Sequence, residues 1–226
     1  MTAEIERPGR VVVVSPHLDD ASLSIGAAIA RMTRTGLDVA VVTVFAGDPG
    51  SNAAAASWDR DCGFESAAAA VRGRRAEDLR ACAILGATAV WLPFPDAQYP
   101  AVRDAGAIWT ALGPELADAE SCLLPGFPLA HPDHAWVTSL VLERAVELGC
   151  RIGFYAEQPY ARAGVASASP AVAARWYAAS ASRRELRLKG KACRAYRSQF
   201  RGLRRHLPRR LLLPELFRVE ERLAWG

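Results

Sequence analysis

A Rossmann-like α/β fold, three layers deep around a mostly parallel sheet, is predicted by three features of the sequence. Val11 to Val14 are four consecutive valines closed by Ser15 and Pro16, the β-branched, doubly apolar run expected of a strand covered on both faces. Similar short runs then alternate with helix-period segments as far as about residue 160, which is the pattern of repeated βαβ units. The first such unit has a tight turn, and crossovers of that kind imply parallel strands with helices packed on them.

Taken in order, the segment Ala21 to Thr35 carries Ile25, Ala28, Ile29 and Met32 at helical spacing and stops at Gly36, a residue suited to a left-handed C-terminal cap. Val39 to Phe45 reads as the second strand. Residues 46–66, rich in Gly, Ala, Ser and Asp, read as a long loop with room for one helical turn; loops of that length are usually functional or disordered. A helix over Arg72 to Leu85 ends at Gly86, and Ala89 to Leu92 forms the third strand. Helix from Ala105 to Ala119, strand from Ser121 to Leu124, helix from His134 to Leu148 and strand from Arg151 to Ala156 complete the repeat. Residues 161–175 are small and irregular, 176–205 read as predominantly helical, and 206–226 mix Leu with Pro and Arg. The expectation is one domain over 1–226, with a core at about 11–160 and a basic helical extension at about 176–226.

Bulk properties exclude several classes. Of the 226 residues, 51% are hydrophobic and 23% charged, and no apolar run approaches the roughly 18 to 20 residues that span a bilayer. The N-terminal MTAEIERPGR lacks the apolar stretch of a secretory signal, so a cytoplasmic location is expected. Five dispersed cysteines, none in a CxxC pair, argue against a disulfide framework or a zinc knuckle. Residues 183–210 hold twelve Arg or Lys against Glu185 alone, net +11, which leaves −7 for the rest of a chain whose total is +4. The stretch contains no recognised nucleic-acid module and reads as a solvated helix face; it hints at an anionic substrate or partner, with no nucleic acid expected.

Two motifs carry chemistry. Ser15-Pro16-His17-Leu18-Asp19-Asp20 stands where the first strand hands over to a helix, the position at which open α/β sheets gather ligands. His131-Pro132-Asp133-His134 follows the strand at 121–124 and precedes a helix. Three of the four histidines in the chain fall in these motifs. His and Asp are zinc ligands, and three protein ligands with an open position mark a catalytic rather than a structural site. Each motif alone has a plainer reading, Asp133 or the His-x-Asp-Asp carboxylates acting as helix N-caps. Two such motifs at the ends of two parallel strands favour a metal.

The motifs SPHLDDASLSIGA and AHPDH, supported by RRAEDLRACAILGA and by Asp96 in LPFPDAQY, resemble those of the PIG-L or LmbE-like deacetylases, which include enzymes acting on N-acetylglucosaminyl phosphatidylinositol and on the mycothiol precursor. The resemblance covers roughly residues 11–160. It implies that His17, Asp20 and His134 hold one zinc ion, with Fe²⁺ as the alternative metal, and that Asp19 is the general base for a metal-bound water. It gives His131 one of three roles: polarising the carbonyl, stabilising the oxyanion or protonating the leaving amine. Arg74 and Asp96 match residues that contact the sugar, against the plainer readings of an Arg74–Glu77 surface pair and a loop acid. Asp133, beside His131, is expected to keep that imidazole protonated as an acid, and Glu157, at the end of the strand 151–156, reads as a residue behind the site, one facing the substrate, or an ordinary loop acid.

Leu18 and Ala21 replace a proline and a glutamate of the commonest family motif, and Leu129 stands where some members have a tyrosine; Tyr99, Tyr155 or Tyr160 could supply that hydroxyl. The activity implied is hydrolysis of an N-acyl group, most simply acetyl, from an amino sugar or glycoconjugate. The alternatives are an amidase acting on a natural-product or thiol-conjugate amide, and a catalytically silent Rossmann-like binding module.

Overall fold

The computed structural model describes residues 9–50, 53–100, 102–163, 175–206 and 220–225. Seven strands form one sheet in the order β3-β2-β1-β4-β5-β7-β6. Strands β1 (Arg10–Ser15), β2 (Asp38–Thr43), β3 (Thr88–Trp91), β4 (Ser121–Phe127) and β5 (Arg151–Ala156) are parallel, whereas β6 (Trp176–Ala178) and β7 (Arg222–Trp225) join antiparallel.

Alternation along the valine strand explains why it is apolar throughout. Val12 and Val14 face one core with Ile108, Leu112 and Leu116 of α4 (Ala105–Ala117) and Val137, Leu140 and Val141 of α5 (Pro132–Glu143). Val11 and Val13 face the other, with Ile25 and Ile29 of α1 (Asp20–Arg34), Cys82 and Leu85 of α3 (Ala67–Leu85), and Ala192 of α6 (Arg183–Cys193). Helices on both faces leave β1 buried twice, which is why period-2 polarity is absent from it. Gly36 adopts φ 93°, as a residue ending α1 on the left-handed side must.

One feature of the C-terminal part differs from the sequence expectation. The described part of 176–206 is mostly helical, in α6 and α7, as expected, but β6 and β7 also join the sheet and α6 packs on α1. Each strand has only three or four residues, too few for a period-2 signal to separate from the surrounding arginines. Within 46–66 a short helix α2 (Ser57–Cys62) forms and lies against α7 (Arg197–His206). The expected irregular stretch 161–175 and most of 206–226 lie outside the described residues. All five cysteines are free and four are buried. Among the described residues no helix is long and apolar enough to cross a membrane.

Helix α1 is broken at Ile25 (φ −131°, ψ 29°), which releases backbone donors in the core. Glu221, at the edge of β7, accepts from Ala27 N (2.9 Å) and Ala28 N (2.7 Å). Lys189 of α6 completes the arrangement, with Nζ 2.7 Å from Glu221 and 3.3 Å from the Ser24 carbonyl. Both side chains are essentially inaccessible to solvent. Removing one member of a buried pair strands the other, so Glu221→Ala is expected to lower unfolding free energy by about 3–5 kcal/mol. Urea denaturation of the variant and the parent measures the difference.

Candidate active site

Strand β1 pairs with β4 in the middle of the sheet, while β2 and β5 run outward on either side. Chain order therefore reverses between β1 and β4, and the crevice beyond their carboxyl ends is where such sheets bind ligands. The loop after β1 brings His17, Asp19 and Asp20 to that crevice; the loop after β4 and the start of α5 bring His131, Asp133 and His134.

Three donor atoms converge there. His17 Nδ1 lies 3.4 Å from Asp20 Oδ2, His134 Nε2 lies 3.2 Å from the same oxygen, and the two nitrogens are 3.2 Å apart. Donors about 2.0–2.1 Å from a tetrahedral zinc ion stand about 3.3–3.4 Å from one another, so the triangle has the size of one face of a zinc shell. His131 is a further neighbour, with ligand atoms of His17, His131 and His134 all within 4.8 Å of one another, as are those of His17, Asp96 and Asp133. The far nitrogens of the two histidines facing Asp20 are each turned to a buried carboxylate. His17 Nε2 is 2.9 Å from Asp133 Oδ2, and His134 Nδ1 meets Glu157. Such carboxylates hold the ring N–H on the outer nitrogen and leave the inner lone pair for a metal.

These contacts set the ionisation of the metal-free cluster. Burial works against a charged His17, but Asp133 and Asp20 outweigh it and raise its pKa to about 9. Burial is likewise overcome at His134, where Asp20 and Glu157 raise the pKa to about 10. Asp20, despite burial, is held well below the usual carboxylate range by His134 and His17. Asp19 behaves oppositely: burial and the adjacent Asp20 charge push its carboxyl well above that range. It occupies the N-cap position of α1 at φ 124° without making a side-chain cap bond, an unfavourable backbone conformation for a residue with a Cβ. Its carboxylate lines the cleft instead.

His131, and not Asp133, caps α5: its Nδ1 accepts from Asp133 N at 3.2 Å. With Nδ1 accepting, the hydrogen of the neutral ring sits on Nε2. The pairing expected between the Asp133 carboxylate and His131 is not formed, because Asp133 gives one oxygen to His17 and the other to Arg103. Burial, followed by the charges of His17 and His134, keeps the His131 pKa below its ordinary value.

The cleft above these residues encloses about 410 Å³. Arg74 and Asp96 both line it, Arg74 Nη1 standing 3.6 Å from Asp96 Oδ2 and 3.6 Å from Asp59 Oδ1. The surface pair Arg74–Glu77 does not exist, since both residues are buried and Glu77 accepts from the backbone and hydroxyl of Ser198 (2.9 and 2.6 Å). Facing the polar side is an apolar wall of Leu23, Trp58, Pro159 and Leu203. Trp58 comes from α2 and Leu203 from α7, so the long loop and the C-terminal region both wall the cleft.

The family model described as GlcNAc-PI de-N-acetylase, PIG-L, matches residues 12–145, more than half of the chain. The chain belongs to the PIG-L family. Among solved structures, the A40926 pseudoaglycone deacetylase is 28% identical, with 96% of each chain covered and a TM-score of 0.82. A deacetylase triple mutant of the teicoplanin biosynthetic pathway is 25% identical, with 96% of this chain and 97% of that one covered and a TM-score of 0.76. The 4-carboxy-2-hydroxymuconate hydratase of Pseudomonas putida, 19% identical over 96% of this chain and 95% of its own with a TM-score of 0.59, shares the fold alone. No curated protein matches the sequence. A hydratase on the same frame means that the reaction has to be argued from the site residues, not from the PIG-L fold.

Against the PIG-L pattern, Leu129 adopts φ 55° and donates its N–H to Glu157 (2.7 Å). Of the three tyrosines considered for the missing hydroxyl, Tyr99 donates to Asp59 (2.5 Å) and Tyr155 to the Val14 carbonyl (2.9 Å). Tyr160 lines the cleft, with its ring 6.0 Å from that of His134. Asp59, Trp58, Gln199 and Arg103 carry no readable signal, since each is recruited by partners distant in sequence. Glu157→Ala would leave His134 Nδ1 and Leu129 N without their acceptor. The expected cost is about 1–3 kcal/mol for each orphaned buried group, read as a fall in the melting temperature of the metal-free protein.

Proposed function

We propose that the chain is a zinc-dependent N-deacetylase that frees the amine of an N-acetyl amino sugar carried on a larger, partly apolar scaffold. The observation that carries this reading is the triangle of His17 Nδ1, Asp20 Oδ2 and His134 Nε2, with edges of 3.2 to 3.4 Å, at a cleft that Asp19 and His131 also line. The two deacetylases reported above, at 25% identity or more over nearly the whole chain, support the reaction and a glycoconjugate substrate. The cleft supports the same substrate class: Arg74 and Asp96 offer a donor and an acceptor to sugar hydroxyls, and Trp58, Leu23, Pro159 and Leu203 offer an apolar surface to what the sugar is attached to.

Zinc held by His17, Asp20 and His134 supplies a Lewis acid for the amide carbonyl and lowers the pKa of water to about 7. Asp19, whose carboxyl is raised by burial and by Asp20, takes the proton of the attacking water. A raised carboxyl is the stronger base. His131 presents Nε2–H to the carbonyl oxygen as it gains charge, which favours oxyanion stabilisation over the other roles open to it. The proton on Asp19 then passes to the amine as the C–N bond breaks, so acetate and the free amino sugar leave. Asp133 and Glu157 hold the two ligand histidines and touch no substrate.

Asp19→Asn keeps the fold and the three ligands, so zinc content is expected to remain about one per chain while kcat falls about 10² to 10⁴ fold. The assay is amine release from N-acetylglucosaminyl glycosides and glycoconjugates, with zinc measured on the same samples. Full activity in Asp19→Asn would refute the role, and a chelator-treated protein that stays active would refute the metal.

Zinc uptake has a pH signature. The metal-free His17 and His134 hold protons up to about pH 9 and about pH 10, and both must be neutral to ligate. Binding near pH 7 is therefore expected to expel one to two protons per zinc, and affinity to rise with pH by about tenfold per unit for each proton expelled. Calorimetry in buffers of different ionisation enthalpy counts the protons.

A further inference from the structure

We infer that Arg103 is a positioning residue for this centre: it locks the Asp133 carboxylate onto His17 and ties the substrate-facing loop to that same histidine. The inference rests on the reading of His17 as a metal ligand.

Arg103 closes the loop between β3 and α4. Its neighbour Asp104 caps α4 by accepting from Ala107 N at 3.0 Å, so the backbone at this point is set by the helix start. Earlier in the same loop, Asp96 and Gln98 line the cleft. The Arg103 guanidinium lies over the rings of Phe45 (5.3 Å) and Trp136 (5.7 Å). Phe45 follows β2 and bridges to Pro93, while Trp136 stands two residues after His134 on α5. Nη2 of Arg103 donates to Asp133 Oδ1, and Asp133 Oδ2 meets His17 Nε2 at 2.9 Å. Asp133 is 1% exposed at its side chain and Arg103 29%, so the carboxylate is shut in and its cation reaches it from the rim.

Each Asp133 oxygen has one donor, and the two donors together fix the plane of the carboxylate. Without Arg103, Oδ1 is a buried acceptor with nothing to accept from, and the group is free to turn toward solvent and off His17. His17 then loses the contact that keeps its hydrogen on Nε2 and Nδ1 open for metal. The site calls for arginine because a flat, delocalised cation can lie over two aromatic rings while its edge donates to a carboxylate; an ammonium is a point charge with no flat face. The anchor also joins loop to metal: the residue that fixes His17 belongs to the segment that carries Asp96.

Two opposite outcomes separate this role from a simple charge effect. A guanidinium near a dication repels it, so if Arg103 acted only by charge, its removal would tighten zinc binding. The full-length protein is stripped of metal, and zinc affinity is measured by competition with a chromophoric chelator for the parent, Arg103→Met and Arg103→Lys. ¹⁵N-histidine spectra of the zinc-loaded samples report the tautomer. Arg103→Met is expected to weaken zinc about 10 to 100 fold and to blur the Nε2–H signal of His17, and Arg103→Lys to recover part of the affinity. If Arg103→Met fails to fold, Arg103→Lys decides alone, with an affinity below that of the parent expected. Affinity within threefold of the parent, or tighter, in the variant that folds overturns the inference. A parent protein that binds no zinc overturns the ligand reading itself, and the inference with it.

Discussion

Strand β1 lies beside β4 at the centre of the sheet, with Val11 to Val13 in register against Ser121 to Leu123, and everything chemical in the molecule follows from that pairing. The chain leaves β1 toward one side and β4 toward the other, and the gap between the two departures cannot be filled by either crossover. Residues 17–20 and 131–134, more than a hundred positions apart, meet there because their strands are hydrogen-bonded neighbours. The valine run makes the pairing stable from both faces, since Val12 and Val14 belong to one core and Val11 and Val13 to the other.

A cluster of buried ionisable groups at that gap survives because each group has a partner. Isolated, a buried carboxylate or imidazolium costs several kcal/mol. Here Asp20 lies between two histidines, each histidine backs onto a carboxylate, and Asp133 and Glu157 are held in turn by Arg103 and by Leu129 N. Asp19 departs from this pattern. Its strained φ turns the carboxylate into the cleft, and its raised pKa reflects weaker compensation than Asp20 receives. The two adjacent aspartates are thus driven apart in ionisation, Asp20 held ionised by the histidines and Asp19 pushed toward its neutral form by burial and by the Asp20 charge.

Distant parts of the chain serve this centre indirectly. Glu221 and Lys189 repair the break in α1 five residues beyond Asp20, so the C-terminal strand supports the helix that begins at Asp20. The contact between α2 and α7, with Trp58 Nε1 donating to Gln199 at 3.0 Å, closes the apolar wall. On α7 the arginines at 197, 201, 204 and 205 are exposed, while Gln199 and Leu203 face the cleft. The arginines of α7 therefore form one side of an amphipathic helix whose other side lines the cleft.

The sequence by itself determined what depends on near neighbours. The strand at 151–156 was legible to the residue, because β-branched and helical periodicities are local properties, and so was the placement of both motifs at strand ends. His17, Asp19, Asp20, His131 and His134 were legible because metal-type residues were concentrated in two short motifs, and Arg74 and Asp96 through the family likeness. The tertiary structure alone decided the partners. Asp133 reads as a companion of His131, two positions away, yet its carboxylate serves His17 and Arg103; Trp58 and Gln199 belong to no motif at all. β6 and β7 have no signature in the sequence because strands of three or four residues take their identity from the sheet they join. Hydrogen bonds between residues a hundred positions apart leave no periodicity to read, and only the folded chain sets the distances over which charge, burial and ligand geometry act.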